Sequence, residues 1–376
     1  MYIELHLIQN FVPANLNRDD TNNPKDYEFG GVRRARISSQ CIKRAIRNSP
    51  VFAETTRVEV GKRTRWITRL LSKALVAAGK PEKEAGEVAV RFAEAYTQKM
   101  DGKEKAKTAI QVYVSPEELQ EVAATLVQNW AIVLQQPAEA DKLMAGLVKQ
   151  LLTQYEITSA PDVALFGRML AIKPTTQILD AACQVAHAIS THRVTMEMDF
   201  FTAVDDVVQG EETGAGMMGF TGYNSACFYR YARLDWEQLV KNLGADSDLA
   251  LRTVEGFLRA AVEAIPTGKQ TGFAAQNPPS FLLAVVRSGG AAWSLANAFE
   301  KPVRAERDSG LVAPSVKALD AYWGRLSAVY GTKFIKAKAA VALDDGLALD
   351  ALKGAQVKDL DAWVEATLKP IKEATA

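Results

Sequence analysis

The stretch FGGVRRARISSQCIKRAIR, residues 29–47, carries the clearest local signal in the chain. The serines at positions 38–39 can cap a helix, because a serine side chain accepts a hydrogen bond from the free amides of a first helical turn. Beyond them Ile42, Ala45 and Ile46 fall on one face, at spacings of three and four residues, while the basic side chains lie off that face. The stretch therefore predicts a short amphipathic helix with a strongly basic polar side.

The residues before this helix predict a strand and a loop. Residues 2–12, YIELHLIQNFV, place β-branched and aromatic residues in a pattern that is typical of a strand. Residues 13–31 are polar, rich in turn-forming residues and without an apolar period. We expect a long loop there, and long loops in compact domains are usually functional or disordered.

Farther along the chain, a helical block precedes mixed elements. Residues 57–180 look mainly helical, and Ser-Pro-Glu-Glu at 115–118 matches a capping box with proline at the first helical position. The expected later segments are a strand or helix within 181–194, a glycine-rich arm at 210–224, a strand from 225, a helix at 249–265, a buried strand at 281–287 and a helix at 314–330. This order predicts an α+β fold with large insertions into a small core.

The charge is distributed unevenly along the 376 residues. The chain has 45 Lys and Arg against 44 Asp and Glu, a net charge of only +1. Residues 1–80 hold 15 basic and 7 acidic residues, a net of +8, so the remainder carries −7. Within residues 30–80 the ratio is 13 basic to 2 acidic. Such an asymmetry indicates a polyanionic partner.

Several classes of protein and site are excluded. No run approaches the ~20 apolar residues of a membrane span, and the N-terminus lacks the features of a secretory signal. Three scattered cysteines suit reduced thiols in the cytoplasm, and neither they nor the histidines have zinc-site spacing. The GAGMMG segment at 214–219 lacks the preceding strand of a dinucleotide site. We expect a cytoplasmic protein with no metal, cofactor or membrane contact.

The basic run and a pair of aromatic residues are the candidate binding features. Lys43 and Arg44 are expected in the first turns of the helix, where the macrodipole disfavours cations unless an anion is bound. Gly30 and the glycine that follows it would let a backbone approach closely. The adjacent aromatic residues at 200–201 belong either to the core or to a surface on which bases stack, and periodicity leaves both open.

The ordered motifs resemble one known family. They are NLNRDD (15–20), the stretch 29–47, DVALFGRM (162–169), DFFTAVDD (199–206), GAGMMG (214–219), NSACFYRYA (224–232) and GKQTGFAAQNP (268–278). In this order they resemble the CasC-type backbone subunit, of the RAMP superfamily, of the type I-E CRISPR Cascade complex. The likeness covers about three quarters of the chain, and the whole set is far more specific than any single motif.

The resemblance implies a modified RRM-like (ferredoxin-like) palm into which a helical fingers domain and a thumb are inserted. The implied parts are a first palm segment at 1–56, fingers at 57–180, palm at 181–198, a thumb arm at 199–223, and the remaining palm with a C-terminal helix at 224–376. It also implies a non-catalytic ribonucleoprotein subunit that polymerises along CRISPR RNA for antiviral defence. The implied partners are CRISPR RNA, other copies of the chain, other Cascade subunits, and target DNA through pairing with the guide.

The resemblance also implies which residues contact the guide RNA. Those implied to hold phosphates are Arg18, Lys25, Ser38, Gln40, Lys43 and Arg47, and Arg33 joins them as the first residue of the basic run. Phe200, Phe201 and Thr202 would lie on the thumb, and Met169 would wedge against bases from the fingers. Lys269 and Gln270 would lie in a loop near the guide or a neighbouring subunit. Contacts of this kind hold the backbone and leave base edges free for pairing.

Two alternatives stay open. Backbone subunits of type III complexes look similar in fold and cleave bound RNA with a loop aspartate, for which Asp19, Asp20 or Asp26 would be the candidates here. The other alternative is a helical scaffold whose basic patch has no role. It predicts that charge reversal at Lys43 and Arg47 leaves RNA binding unchanged.

Overall fold

A computed structural model describes residues 1–153, 157–172, 175–203, 217–307, 310–344, 346–347 and 349–375. The strands are β1 (Tyr2–Ala14), β2 (Asp26–Phe29), β3 (Val32–Ile37), β4 (Lys62–Thr64), β5 (Val112–Val114), β6 (Arg168–Ile172), β7 (Thr175–Leu179), β8 (Cys183–Val185), β9 (Ala188–Ser190), β10 (Glu197–Ala203), β11 (Met217–Asp235), β12 (Phe281–Arg287) and β13 (Ile335–Ala342).

The helices are α1 (Ser39–Arg47), α2 (Pro50–Thr56), α3 (Ile67–Ala77), α4 (Glu82–Thr97), α5 (Pro116–Gln128), α6 (Trp130–Gln135), α7 (Pro137–Thr153), α8 (Pro161–Phe166), α9 (Trp236–Asn242), α10 (Ser247–Glu263), α11 (Gln270–Phe273), α12 (Val312–Tyr330) and α13 (Leu360–Thr375). Short 3₁₀ helices occupy Ala296–Phe299 and Lys353–Ala355.

The chain divides into two compact units. The first comprises Met1–Phe52, Gln184–Leu234 and Phe257–Ala376, and the second comprises Ala53–Cys183 and Asp235–Gly256. The five-part division into palm, fingers and thumb stays a prediction. No helix of the described ranges is long and apolar enough to cross a membrane.

The first unit is built on an antiparallel sheet with strand order β13-β12-β1-β11-β9-β3-β2. Strands β1 and β12 pair in register from Tyr2 opposite Arg287 to Ile8 opposite Phe281. Every residue of β12 is buried: Leu319 and Trp323 of α12 belong to one core cluster with alternate residues of the strand, and α13 also contacts β12. The strands expected at 2–12 and 281–287 are therefore confirmed. The apolar run of β12 does not alternate with polar residues, because the side chains on both faces of this strand are buried.

The polar stretch 13–31 differs from its expectation. It is not a continuous loop: β1 runs on to Ala14, and Asp26–Phe29 forms a hairpin with Val32–Ile37. The hairpin turns on Gly30 and Gly31, whose φ angles are +62° and +72°. Two successive positive φ angles are typical of the two-residue turn whose twist matches that of the flanking strands. The glycine pair therefore supports a hairpin here, although the residues around it show no apolar periodicity.

The second unit has a helical core. Apolar residues of α3, α4, α5 and α7 pack together, among them Leu71, Phe92, Leu126 and Met144. The predicted capping box is confirmed: the Ser115 amide donates to Glu118 Oε2 at 2.8 Å and the Glu118 amide donates to Ser115 Oγ at 3.1 Å. The block expected to be mainly helical also contains two two-stranded antiparallel sheets, β4 with β5 and β6 with β7.

Later elements match in part. Residues 181–194 contain the strands β8 and β9 rather than a helix, and α10, α12 and the strand after residue 225 lie where periodicity placed them. Helix α12 is not the last element, because β13 and α13 follow it. The glycine-rich arm is described only from Met217 onward, where it belongs to β11, and its segment 204–216 lies outside the described residues.

Candidate nucleic-acid interface

Helix α1 begins at a cap that is tied to two other segments. Ser38 has extended backbone angles, and its Oγ accepts a hydrogen bond from the Cys41 amide at 3.3 Å, as expected for a cap. The Ser38 amide donates to Asn17 Oδ1 at 2.8 Å, and the Ser39 amide donates to His187 Nδ1 at 2.8 Å. The start of the helix is thus fixed by the loop after β1 and by the segment before β9.

The loop that carries Arg18 and Lys25 is organised by its own polar residues. Asp19 Oδ1 accepts from the Thr21 amide, the Thr21 hydroxyl and the Asn23 amide at 2.8–3.0 Å. These hydrogen bonds, the Thr21 hydroxyl foremost, lower the pKa of Asp19. Arg18 is exposed and donates to Asn22 Oδ1 at 3.0 Å. The loop therefore presents Arg18 from a closed turn rather than from a free coil.

The same loop reaches the base of the β10-β11 arm. Asn15 is fully buried, and its Nδ2 donates to the carbonyl oxygens of Gly222 at 2.8 Å and Asn22 at 3.1 Å. Gly222 lies opposite Met198, near the start of the pairing between β10 and β11. The hydrogen bond from Asn15 therefore holds the end of the arm that is joined to the sheet. Asn15 and Asn17 both lie in the motif NLNRDD, but the sequence assigned a role only to Arg18 and the aspartates of that motif.

The loop before α11 also packs against the loop after β1, in addition to α1 and the β10-β11 arm. A Cβ atom at Gly268 would lie 2.3 Å from the Leu16 carbonyl oxygen, so only glycine allows this approach. Lys269 Nζ donates to Thr221 Oγ1 at 3.3 Å, which sets it against the arm. Gln270 Nε2 donates to the Pro266 and Ala275 carbonyls, so its amide group shapes its own loop. Lys269 and Gln270 are therefore brought to the loop that holds Arg18.

The basic side of α1 is formed by Lys43, Arg44 and Arg47, with Gln40 exposed nearby. Lys43 and Arg47 are half-buried and engaged in other contacts. The macrodipole argument for an anion at this helix was wrong for Arg44. The helix has nine residues, so Arg44 and Arg47 stand in its last turn, where the dipole favours cations.

Arg34 separates from the other basic residues of the run. It is fully buried and donates to four backbone carbonyls, those of Phe29, Ser190, Phe299 and Glu300, at 2.7–3.1 Å. A Cβ atom at Gly30 would lie 1.8 Å from the Glu300 carbonyl oxygen. Gly30 does admit a close backbone, but that backbone is the chain's own segment around Glu300. Arg34 is consequently a structural residue that holds the β2-β3 hairpin.

Its neighbour Arg33 faces outward. The Arg33 guanidinium forms an ion pair with Asp26 at 3.3 Å, and both side chains are largely exposed. Exposed ion pairs of this kind contribute about 0–1 kcal/mol. The Arg33 guanidinium can therefore leave Asp26 and bind another anion at little cost.

The β10-β11 arm presents aromatic residues to solvent. Phe200 is 53% exposed and Phe201 is 40% exposed, so neither ring belongs to the hydrophobic core. Phe200 lies opposite Phe220, with ring centroids 5.2 Å apart, and Phe201 lies over Gly219, where a Cβ atom would meet the ring at 2.4 Å. Thr202 is exposed at the far end of the described strand.

Met169 belongs to the second unit, whereas every other predicted RNA-binding residue belongs to the first. Its side chain is 70% exposed on β6. The preceding Arg168 is buried and pairs with Glu118 at 2.7 Å, which anchors the strand that carries Met169. The roles of all these residues in RNA binding stay predictions.

The fold and this polar, basic surface define a mixed α+β protein with an antiparallel sheet and a helical unit. The chain belongs to the CT1975-like protein family, whose model matches residues 3–366. No curated protein matches the chain.

Two solved structures are similar over nearly the whole length. One, described as "CRISPR RNA-guided surveillance complex, pre-nicking", is 29% identical with a TM-score of 0.83, covering 98% of this chain and 100% of its own. Another, described as "CRISPR RNA-guided surveillance complex", is 24% identical with a TM-score of 0.74, covering 98% and 100%, and shows the same fold. The resemblance to a Cascade backbone subunit is confirmed by the family and these matches.

Proposed function

We propose that this chain is a non-catalytic CRISPR RNA-binding subunit, whose copies line up along the guide as the backbone of a type I-E Cascade complex. The observation that carries the proposal is the convergence of three segments, distant in sequence, on the loop after β1. Asn17 in that loop hydrogen-bonds to Ser38 at the start of α1, and Asn15 hydrogen-bonds to Gly222 in the arm. Gly268 allows the segment that carries Lys269 to pack against the backbone of the loop. The first unit would act as the modified RRM-like palm, and β10-β11 as the thumb.

The residue types on this surface suit a guide of any sequence. Lysine and arginine on α1 and in the loop bind phosphate oxygens without reading a base. The exposed rings of the arm offer faces on which bases stack, and such stacking tolerates any base. A subunit of this kind leaves base edges available for target DNA, which pairing with the guide would recognise.

Assembly along RNA would be head to tail, with the same two surfaces meeting at every step. The partners would be CRISPR RNA, further copies of the chain and the other Cascade subunits. All three cysteines are free thiols, which agrees with a role in the cytoplasm.

The proposal includes the absence of RNA cleavage. Two of the three candidate aspartates have partners: Asp19 accepts three hydrogen bonds within its turn, and Asp26, the first residue of β2, pairs with Arg33. Asp20 is exposed and is the residue to test. A cleavage assay on bound target RNA, with added divalent metal, should give no product. A cut that Asp20→Ala abolishes would instead identify a type III-like nuclease.

The direct test is co-purification of RNA. The chain, expressed with a CRISPR array and its companion subunits, should bring down a discrete short RNA of repeat-plus-spacer sequence. Lys43→Glu with Arg47→Glu should lose that RNA, whereas the control Lys83→Glu with Lys142→Glu, on exposed positions of the second unit, should retain it. Equal RNA recovery from both variants would refute the proposal and favour a scaffold without an RNA role.

A further inference from the structure

His187 lies in the first unit, immediately before β9, and is not among the residues assigned to the guide. The Ser39 amide donates to its Nδ1 at 2.8 Å, so the ring is held at the start of α1. Ser38 and Gln40, which flank Ser39, are both predicted to contact the guide. His187 is therefore brought to the candidate RNA surface by a contact between residues 148 positions apart in the chain.

The hydrogen bond from Ser39 decides which ring nitrogen carries the proton. A backbone amide only donates, so Nδ1 accepts and carries no proton. A neutral imidazole with an unprotonated Nδ1 has its N–H at Nε2. His187 is exposed, and its Nε2 forms no hydrogen bond within the part of the chain that the structure describes. The ring therefore presents one oriented N–H donor at the surface beside α1.

The surroundings of His187 are positively charged. Partial burial of the ring is the main cause that lowers the pKa of His187, and the charges of Arg36 on β3 and Lys25 in the loop after β1 lower it further. The first turn of α1 contains no acidic residue. Within the described ranges, neither Arg36 nor Lys25 belongs to an ion pair. The site therefore attracts an anion and favours a neutral imidazole.

An N–H donor between two cations suits a phosphate oxygen, because hydrogen bonds to a charged acceptor are the stronger ones. A bound phosphate would by itself favour an imidazolium ion. However, the second proton would have to occupy Nδ1, and the hydrogen bond from the Ser39 amide would then be lost. The His187 ring can therefore act as a neutral donor, which adds direction to the contact without adding charge.

We propose that His187 is a further guide-binding residue, whose Nε2–H donates to a phosphate oxygen of the RNA beside the start of α1. The inference rests on the proposed function, because it requires guide RNA to lie along Ser38, Gln40 and Lys43. Unlike a lysine or an arginine, a neutral donor strengthens binding without releasing counterions. The competing explanation is that the ring only holds α1 in place through Ser39.

Two substitutions separate the two nitrogens of the ring. In His187→Asn the side-chain carbonyl can take the place of Nδ1 and accept from the Ser39 amide, but nothing replaces the Nε2–H. In His187→Gln the longer side chain brings its amide N–H groups to the place of Nε2, while the contact with Ser39 is lost. Filter-binding titrations of the full chain with labelled single-stranded RNA of repeat-plus-spacer sequence, at about pH 7.5 and several salt concentrations, give the affinity and the salt slope.

We expect His187→Asn to bind RNA about tenfold more weakly than the parent, because a hydrogen bond to a charged oxygen is lost. Its salt slope should be unchanged, whereas the reference Lys43→Ala should lower that slope by roughly one. His187→Gln should stay within about threefold of the parent affinity. The control Lys83→Ala, at an exposed position of the second unit, should match the parent in affinity and slope.

A measurement on the unsubstituted chain complements the variants. Nitrogen NMR spectra of the chain with isotopically labelled histidine should show His187 as the Nε2–H tautomer, and added RNA should shift its Nε2 resonance. An Nδ1–H tautomer, or an Nε2 resonance that RNA leaves in place, overturns the inference even where a variant does not fold.

Four binding results would also overturn it. They are parent-like RNA affinity in a His187→Asn chain with the parent's urea midpoint, equal losses in both His187 variants, a salt slope that falls in His187→Asn, and a loss that is seen with RNA but not with single-stranded DNA of the same sequence. The last result would assign the donor to a ribose hydroxyl, which DNA lacks. Failure of the proposed function is distinct, because it appears as full guide recovery by Lys43→Glu with Arg47→Glu.

Discussion

Replacement of Arg34 tests whether neighbouring arginines of the basic run have opposite roles. Arg34 is fully buried and satisfies four carbonyl oxygens that belong to three separate segments of the first unit. Arg33, one residue earlier, has a side chain that is 64% exposed and pairs with Asp26. Arg34→Ala should therefore destabilise the fold, whereas Arg33→Ala should not.

The magnitude follows from the contacts. A buried carbonyl left without a donor costs about 1–3 kcal/mol, and the four carbonyls of Arg34 can regain part of that from water that enters the vacated space. We expect Arg34→Ala to lower the free energy of unfolding by about 3–5 kcal/mol, near the upper end for single substitutions. Against a typical stability of about 5–15 kcal/mol, this loss leaves the first unit marginal.

Urea unfolding followed by far-ultraviolet circular dichroism measures the difference. Arg34→Lys should lose about 2–3 kcal/mol, since one ammonium cannot satisfy carbonyls on both sides of the guanidinium. Arg33→Ala should change stability by less than about 1 kcal/mol. If Arg34→Ala unfolds at the same urea concentration as the parent but loses guide RNA, Arg34 binds phosphate and the structural assignment is wrong.

Three further predictions concern RNA binding, assembly and pH. Lys43→Ala should weaken guide binding equally for all spacer sequences and lower the salt slope by roughly one, in filter-binding titrations; a loss that depends on spacer sequence contradicts backbone contact. Phe201→Ala should disturb the assembled filament, seen by electron microscopy, more than the thermal stability of the free chain, because its ring lies exposed over Gly219; an unfolded monomer would place that ring in the core. Burial lowers the pKa of His6 to about 3, so the unfolded chain protonates first, and stability present above about pH 6.5 should fall as the pH drops towards 3. The measurement is the urea midpoint of unfolding as a function of pH, and His6→Gln should make that midpoint depend less steeply on pH. If the slope is unchanged, other groups cause the pH dependence.

Short-range patterns gave the elements of the fold. Strand β12 was predictable from an unbroken apolar run, α5 from its capping box, and α1 from Ser38 and the spacing of Ile42 and Ile46. Each of these signals depends on hydrogen bonds or periodicity within a few residues, which the sequence displays directly. The β2-β3 hairpin was missed because its strands are polar, although Gly30 and Gly31 were a sufficient turn signal.

The candidate site was predictable in its residue types but not in its construction. The motifs pointed to the loop, the helix and the arm, and the structure supplies what joins them. Asn17 meets Ser38 across 21 residues, and Asn15 meets Gly222 across 207. Nothing in a single polar stretch specifies so distant a partner, because that choice depends on how the sheet brings its strands together.

By itself the sequence determined the α+β class, the basic run and the family. Only the tertiary structure decided that Arg34 is buried and Arg33 exposed, and that Phe200 and Phe201 face solvent. Identical side-chain chemistry leads to either outcome, because burial depends on whether segments such as 299–300 fold over a residue. That packing is set by contacts between residues hundreds of positions apart, to which local periodicity is blind.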